Sequence, residues 1–137
     1  MHRTTVLTID TAGTSLVEFT RKAADWVAEI GVTTGLLSLF IRHTSASLLI
    51  QENAAPEVQD DLIAFFDRLA PEGSHYAHDS EGPDDMPAHI KSALTQTNLA
   101  IPVIDGRLAL GTWQGIYLFE HRRRPHRREV VLHLGGE

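Results

Sequence analysis

Apolar and polar positions alternate from Thr4 to Asp10, with Leu7 and Ile9 on one side and Val6 and Thr8 on the other, and this predicts a strand. Thr11-Ala12-Gly13 interrupts the alternation. The period then lengthens: Leu16, Phe19, Ala23, Trp26, Val27 and Ile30 recur at helical spacing, and Gly31 is a natural stop. Gly35 to Arg42 is an apolar, strand-like run, and Ser47 to Gln51 is a second short strand. Between them, His43 to Ala46 forms a bend or bulge that can re-aim side chains toward a site. Pro56 fits the first turn of a helix, which Val58, Leu62, Phe65, Phe66 and Leu69 carry on toward Pro71.

Glu72 to Asp85 reads as a long polar loop, and loops of this length in compact domains are often functional. Pro87 opens another helix, running through Leu94, with Asp84 or Asp85 as its cap. Ile101 to Ile104 and Arg107 to Leu110 flank Asp105-Gly106, the signature of a hairpin turn. Gly115 to His121 and Glu129 to Leu134 complete the strands. Segregated strands and helices predict an α+β fold: a mixed, largely antiparallel sheet with helices packed on one side.

The length, 137 residues, fits one domain spanning the whole chain and suffices for a real core. With no cysteine there is no disulfide framework, thiolate metal site or cysteine nucleophile. A net charge of -6 argues against a general nucleic-acid binder. The local exception, Arg122-Arg123-Arg124 with Arg127-Arg128, reads as a solvated basic turn or as a phosphate or subunit contact. No apolar run is long enough for a membrane span, and no signal-peptide core follows Met1. A cytoplasmic, soluble protein is expected. Phosphate-binding loops, dinucleotide fingerprints and nucleophile elbows are all missing from the sequence.

Candidate chemistry gathers in two segments, His43-Thr44-Ser45-Ala46-Ser47 and Tyr76-Ala77-His78-Asp79-Ser80-Glu81-Gly82, the second leading to His89. Neutral imidazole is the commonest metal ligand and a ready proton shuttle. Three imidazoles, His43, His78 and His89, plus an open water position would suit zinc or another transition metal, with surface and helix-capping roles as the rival account. Asp79 could orient His78 through a hydrogen bond. Thr44, Ser45 and Ser47 offer hydroxyls for a phosphate or carboxylate. Glu52, Asp60, Asp61, Glu81, Asp84, Asp85 and Glu120 are candidate acids, bases or hard-cation ligands. Trp113 offers a plane for a ring to stack on, and Gln114 could read the ring's edge; a core-filling Trp113 is the alternative.

Together, His43-Thr44-Ser45-Ala46-Ser47, Gln51-Glu52-Asn53, Tyr76 to Gly82, Met86-Pro87-Ala88-His89-Ile90-Lys91 and Gly111-Thr112-Trp113-Gln114-Gly115-Ile116 resemble the YjbQ-like family, whose members are called secondary thiamine-phosphate synthase enzymes. The resemblance covers nearly the whole chain, in order. It implies an α+β fold with a sandwich-like half-barrel sheet, a homotrimer, and one cleft lined by the histidine, carboxylate and Trp-Gln motifs. His43, His78 and His89 carry over as site histidines, with Glu52, Asp79, Glu81, Trp113, Gln114 and Glu120 beside them. The implied activity joins hydroxymethylpyrimidine diphosphate to thiazole phosphate and releases pyrophosphate, assisted by a divalent metal such as zinc or magnesium. Lys91 and Arg107 would hold phosphate groups and Trp113 the pyrimidine of this small phosphorylated, heterocyclic substrate. A different metal-dependent enzyme, such as a phosphate-ester hydrolase, and a non-catalytic small-ligand-binding protein are the alternatives.

Overall fold

A computed structural model describes residues 1–137 except Ser74. The order is β1 (His2–Thr11), β2 (Ser15–Glu18), α1 (Thr20–Ile30), β3 (Thr34–Ile41), β4 (Ala46–Glu52), α2 (Pro56–Leu69), α3 (Asp85–Leu94), β5 (Asn98–Ile104), β6 (Arg107–Leu108), β7 (Gln114–Glu120) and β8 (His126–Gly136). The strands form a five-stranded sheet, β1-β8-β3-β5-β6, and a three-stranded sheet, β2-β7-β4; every pairing is antiparallel. The curled antiparallel arrangement is a half-barrel, and the α+β expectation is met. No helix among the described residues is long and apolar enough to cross a membrane.

Two apolar layers account for the shape. The inner face of the five-stranded sheet carries Leu37, Leu39, Ile41, Leu99, Ile101, Val103, Val130, Leu132 and Leu134, packed with Ala23 and Val27 of α1 and with Ile116 and Leu118 of β7. The alternate residues of β7, Tyr117 and Phe119, face the other way and pack with Leu16, Leu62, Ile63 and Phe66, the last three from α2. Strand β7 is thus covered on both faces, which explains its unbroken run of buried residues from Gly115 to Glu120. Its alternation also decides where its last polar groups go: Glu120 faces between the sheets, whereas His121 continues the α2 side.

Two local expectations change. The helix foreseen from Leu16 starts at Thr20, because Ser15–Glu18 adds an edge strand to β7, with Leu16 opposite Phe119. Leu16 and Phe19 fit a helical period and a strand face alike, and the open edge of β7 decides between them. Asp84 does sit at the N-cap position of α3, but its side chain makes no capping bond. Its carboxylate instead accepts from Arg122 Nε at 3.0 Å and from the Arg123 N–H at 2.9 Å. The turn between β5 and β6 is as foreseen, with Asp105 and Gly106 at φ 52° and 78°.

Candidate metal centre

Helix α3 and the loop before it bring together His78, Glu81, Asp85 and His89, whose potential ligand atoms all lie within 4.8 Å of one another. Asp85 and His89 are one helical turn apart and therefore share a face of α3. Asp85 is the centre: its Oδ2 lies 2.8 Å from His78 Nε2 and 3.1 Å from His89 Nε2. Its Oδ1 accepts from Arg122 Nη1 at 2.7 Å. Glu81 Oε2 lies 3.3 Å from His78 Nε2. Asp85 is only 2% exposed, so the carboxylate is fixed rather than swinging in solvent.

The tautomer of His89 can be read from its surroundings. Its Nδ1 lies 2.8 Å from the carbonyl oxygen of Thr44, which can only accept, so Nδ1 carries the proton. In its neutral form His89 therefore turns the lone pair of Nε2 toward the carboxylate oxygen of Asp85, and in its protonated form Nε2 donates to that oxygen. Two acceptors 3.1 Å apart need a proton or a cation between them. An imidazole that donates one N–H to a backbone carbonyl while its other nitrogen faces a carboxylate is arranged as metal-binding histidines are.

Charge at the site follows from these contacts. Burial works against ionisation of Asp85, but the His78 hydrogen bond and the charges of His89 and Arg122 outweigh it and hold its carboxyl below the ordinary range. Burial likewise opposes ionisation of Asp84, and the Arg123 and Arg122 contacts overcome it. The hydrogen bond to Asp85 raises the pKa of the exposed His78.

His43 does not join the cluster. Its Nε2 accepts the Glu129 backbone N–H at 2.9 Å, and its Nδ1 lies 3.4 Å from Arg128 Nη1. Burial and then the Arg128 charge lower its pKa. The lone pair that would ligate a metal is spent on β8, and the guanidinium repels a second cation. The three-imidazole set expected from the sequence is therefore two imidazoles and two carboxylates. The backbone beside His43 still serves, since the carbonyl of Thr44 orients His89.

The other expected residues divide between places. Glu120, wholly buried, accepts from Arg128 at 2.8 and 2.5 Å and from Thr11 at 2.7 Å; it is a structural ion pair between the sheets. Ser45 accepts from Arg128 at 3.0 Å, and Ser47 hydrogen-bonds with His121 at 2.9 Å inside the protein. Asp79 is exposed and lies outside the ligand cluster. Lys91 faces Asp67 at 2.6 Å. Glu52 accepts the Ala55 N–H, at the start of α2. Trp113, 62% exposed, Gln114 and Glu52 gather at the opposite end of β7 from Glu120, Gln114 being the register partner of Glu52. Six strand steps separate that end from Glu120, about 20 Å. Arg107 is exposed on β6. One cleft containing both the histidine and the Trp-Gln motifs is thus not formed within a single chain.

The sequence also left Arg122 as part of a basic turn, where the structure makes it the clamp on Asp84 and Asp85. Its signal was weak because its partners lie 37 and 38 residues away. The Asp85–His89 spacing was the better clue, being one helical turn with both side chains able to converge.

Fold and cluster together define an antiparallel α+β protein with a pair of histidines centred on a buried carboxylate. The chain belongs to the UPF0047 protein YjbQ-like family, which it matches over residues 5–137. It is 58% identical over 133 residues to UPF0047 protein sll1880 of Synechocystis, covering 96% of this chain and 90% of that one. Among solved structures it is similar to hypothetical protein APE1520 of Aeropyrum pernix, with TM-score 0.90 at 29% identity over 98% of this chain and 99% of that one. It is also similar to conserved hypothetical protein TT1486 of Thermus thermophilus, with TM-score 0.81 at 37% identity over 93% and 97% of the two chains.

Proposed function

We propose that this protein is a metal-dependent enzyme acting on a small phosphorylated substrate, with His78, Asp85 and His89 as ligands and Glu81 beside them as a further ligand or general base. The observation that carries this reading is the convergence of His78, Glu81, Asp85 and His89, whose potential ligand atoms lie within 4.8 Å of one another. Mixed imidazole and carboxylate donors favour zinc or a neighbouring transition metal over magnesium, which prefers oxygen alone. A bound divalent ion would supply Lewis-acid polarisation of a phosphate oxygen. Arg122 would keep Asp85 oriented, Thr44 would hold a proton on Nδ1 of His89 so that Nε2 is the ligating nitrogen, and Glu81 beside His78 would take a proton from an attacking water or hydroxyl.

The thiamine-phosphate-synthase-like condensation is the finer form of this reading, since a departing diphosphate is a good partner for a divalent ion. It would need Trp113 and Gln114 from a neighbouring copy, because in one chain they stand at the far end of β7. We propose such an assembly, a trimer, formed through the uncovered face of the five-stranded sheet.

Titration calorimetry of chelator-stripped protein with zinc, manganese and magnesium tests the metal site. Zinc or manganese should bind, with affinity falling at least about 100-fold in Asp85→Asn and His89→Ala and changing little in His43→Ala. Absence of binding, or a loss in His43→Ala as large as in His89→Ala, would refute the assignment. Parallel assays of phosphate-ester hydrolysis and of the condensation, with and without metal, separate the two reactions.

A further inference from the structure

A second polar cleft lies across α3 from the metal cluster. Pro87 and Lys91 are one turn apart on one face of α3, whereas Asp85 and His89 occupy the opposite face. The cleft, of about 370 Å³, lies between α2, α3 and the turn after β7. That volume is within the range of small-molecule sites. Ile63, Ala70, Pro71 and Pro87 give it apolar walls, and Lys91, His121 and Arg123 give it polar ones together with the carboxylates of Asp67, Glu72 and Asp84.

Two of these polar groups are incompletely satisfied. Lys91 is 6% exposed, yet among the described residues its ammonium pairs with a single carboxylate, Asp67 at 2.6 Å, leaving donors to spare. His121 is 2% exposed, and its Nδ1 has no hydrogen-bond partner among the described residues. Its other ring nitrogen is tied to Ser47 of β4 at 2.9 Å. The two nitrogens of an imidazole point in diverging directions, so Nδ1 is turned away from β4. A buried polar atom without a partner costs about 1–3 kcal/mol, and such atoms are rare unless something serves them. Of the carboxylates lining the cleft, Asp67 and Glu72 are displaceable, their side chains being 58% and 42% exposed and paired with Lys91 and Arg123, whereas Asp84 is fixed and neutralised by its ion pair with Arg122.

We propose that this cleft is a distinct binding site for a small organic anion, a compact apolar body bearing one carboxylate or phosphate. The anionic group pairs with Lys91 in place of Asp67, the body rests on Ile63, Pro71 and Pro87, and a polar atom of the ligand meets His121 Nδ1. The site is independent of the metal cluster, and its occupant need not be the enzyme's substrate.

Benzoate, phenyl phosphate and neutral benzamide are the probes, titrated into the full chain while the His121 ring nitrogens are followed by long-range ¹H–¹⁵N NMR. Benzoate or phenyl phosphate should bind saturably and shift the His121 signals, and whichever binds tighter identifies the anionic group. Lys91→Met should weaken binding about ten-fold, the loss expected for a charged hydrogen bond. Asp67→Asn, which frees Lys91 without touching the apolar walls, should tighten it several-fold. His89→Ala should leave it unchanged. Failure of both anions to bind, benzamide binding as tightly as benzoate, or Asp67→Asn leaving affinity unaltered would each overturn the proposal. The Asp67 variant keeps the test decisive if Lys91→Met does not fold.

Discussion

His121 illustrates how one position at the end of a strand acquires an unusual character. It follows Glu120 on β7 and takes the opposite face, where the Phe119 ring lies 4.3 Å away, centroid to centroid. Burial, reinforced by the Lys91 charge, pushes its pKa down to about 3. In the unfolded chain the same imidazole titrates near 6.5. The folded pKa is the lower one, so the stability it confers is complete above about pH 6.5 and is lost as pH falls toward about 3. Between about pH 7 and about pH 5 this one group should cost about 2 kcal/mol. Urea denaturation of wild type and His121→Gln at both pH values isolates it, because the carboxylates common to both proteins cancel. The wild type should lose about 2 kcal/mol more than the variant over that interval; equal losses would show that His121 is not buried neutral.

At the level of elements, the sheet-to-sheet junction depends on a charge that β7 carries inward. Glu120 faces Arg128 of β8, and burial, which would raise its pKa, is outweighed by the hydrogen bonds from Arg128, Thr11 and the Arg122 N–H. Arg128 also reaches the carbonyl and hydroxyl of Ser45, so one guanidinium joins β7, β8 and the segment leading into β4. Leaving one partner of such a pair buried alone typically costs about 3–5 kcal/mol. Glu120→Gln should therefore lose about 3 kcal/mol or more in urea denaturation, and Glu120→Gln/Arg128→Met should lose less than the two single losses added together. Additive losses would mean that the two side chains contribute separately. This junction also shows what the sequence can and cannot convey. Periodicity located α1, α2 and most strands, because each buries one face at a fixed repeat. It could not tell that Glu120 and His43 would be drawn into the same buried guanidinium network. Both were read as chemistry, since a buried ionic partner 8 or 85 residues away leaves no local mark. The Asp85–His89 pair does carry a local mark, a spacing of one helical turn, but His89 was grouped instead with His43 and His78, and Asp85 with the helix caps and candidate acids.

The whole molecule is asymmetric in how it covers its sheets. Both faces of β7 are buried, but the outer face of the five-stranded sheet has no helix over it among the described residues. Register pairs Leu36 with Pro102, Ser38 with Ala100, Phe40 with Val131, and Val131 with Val6, so these residues line one continuous outer surface. Leu36, Phe40, Val6 and Ile104 on that surface are each 43–58% exposed. Ser38, His133 and Thr4 are interleaved among them, and a sheet face that leaves several large apolar side chains this exposed is a candidate interaction surface. An antiparallel sheet can tolerate one solvated face, but that face is then normally polar. The trimer proposed above, if formed through this surface, would account for the departure. Phe40→Lys with Val131→Lys adds two charges at the centre of the patch, at positions whose side chains leave the core untouched. Sedimentation velocity should show the wild-type chain as a trimer and the doubly substituted chain as a monomer with an unchanged circular dichroism spectrum. Because the proposed metal ligands lie together on α3 and its preceding loop, the monomer should still bind zinc, whereas any condensation needing Trp113 from a second copy should disappear. A variant that remains assembled, or a wild type that is monomeric at micromolar concentration, would remove this face as the contact.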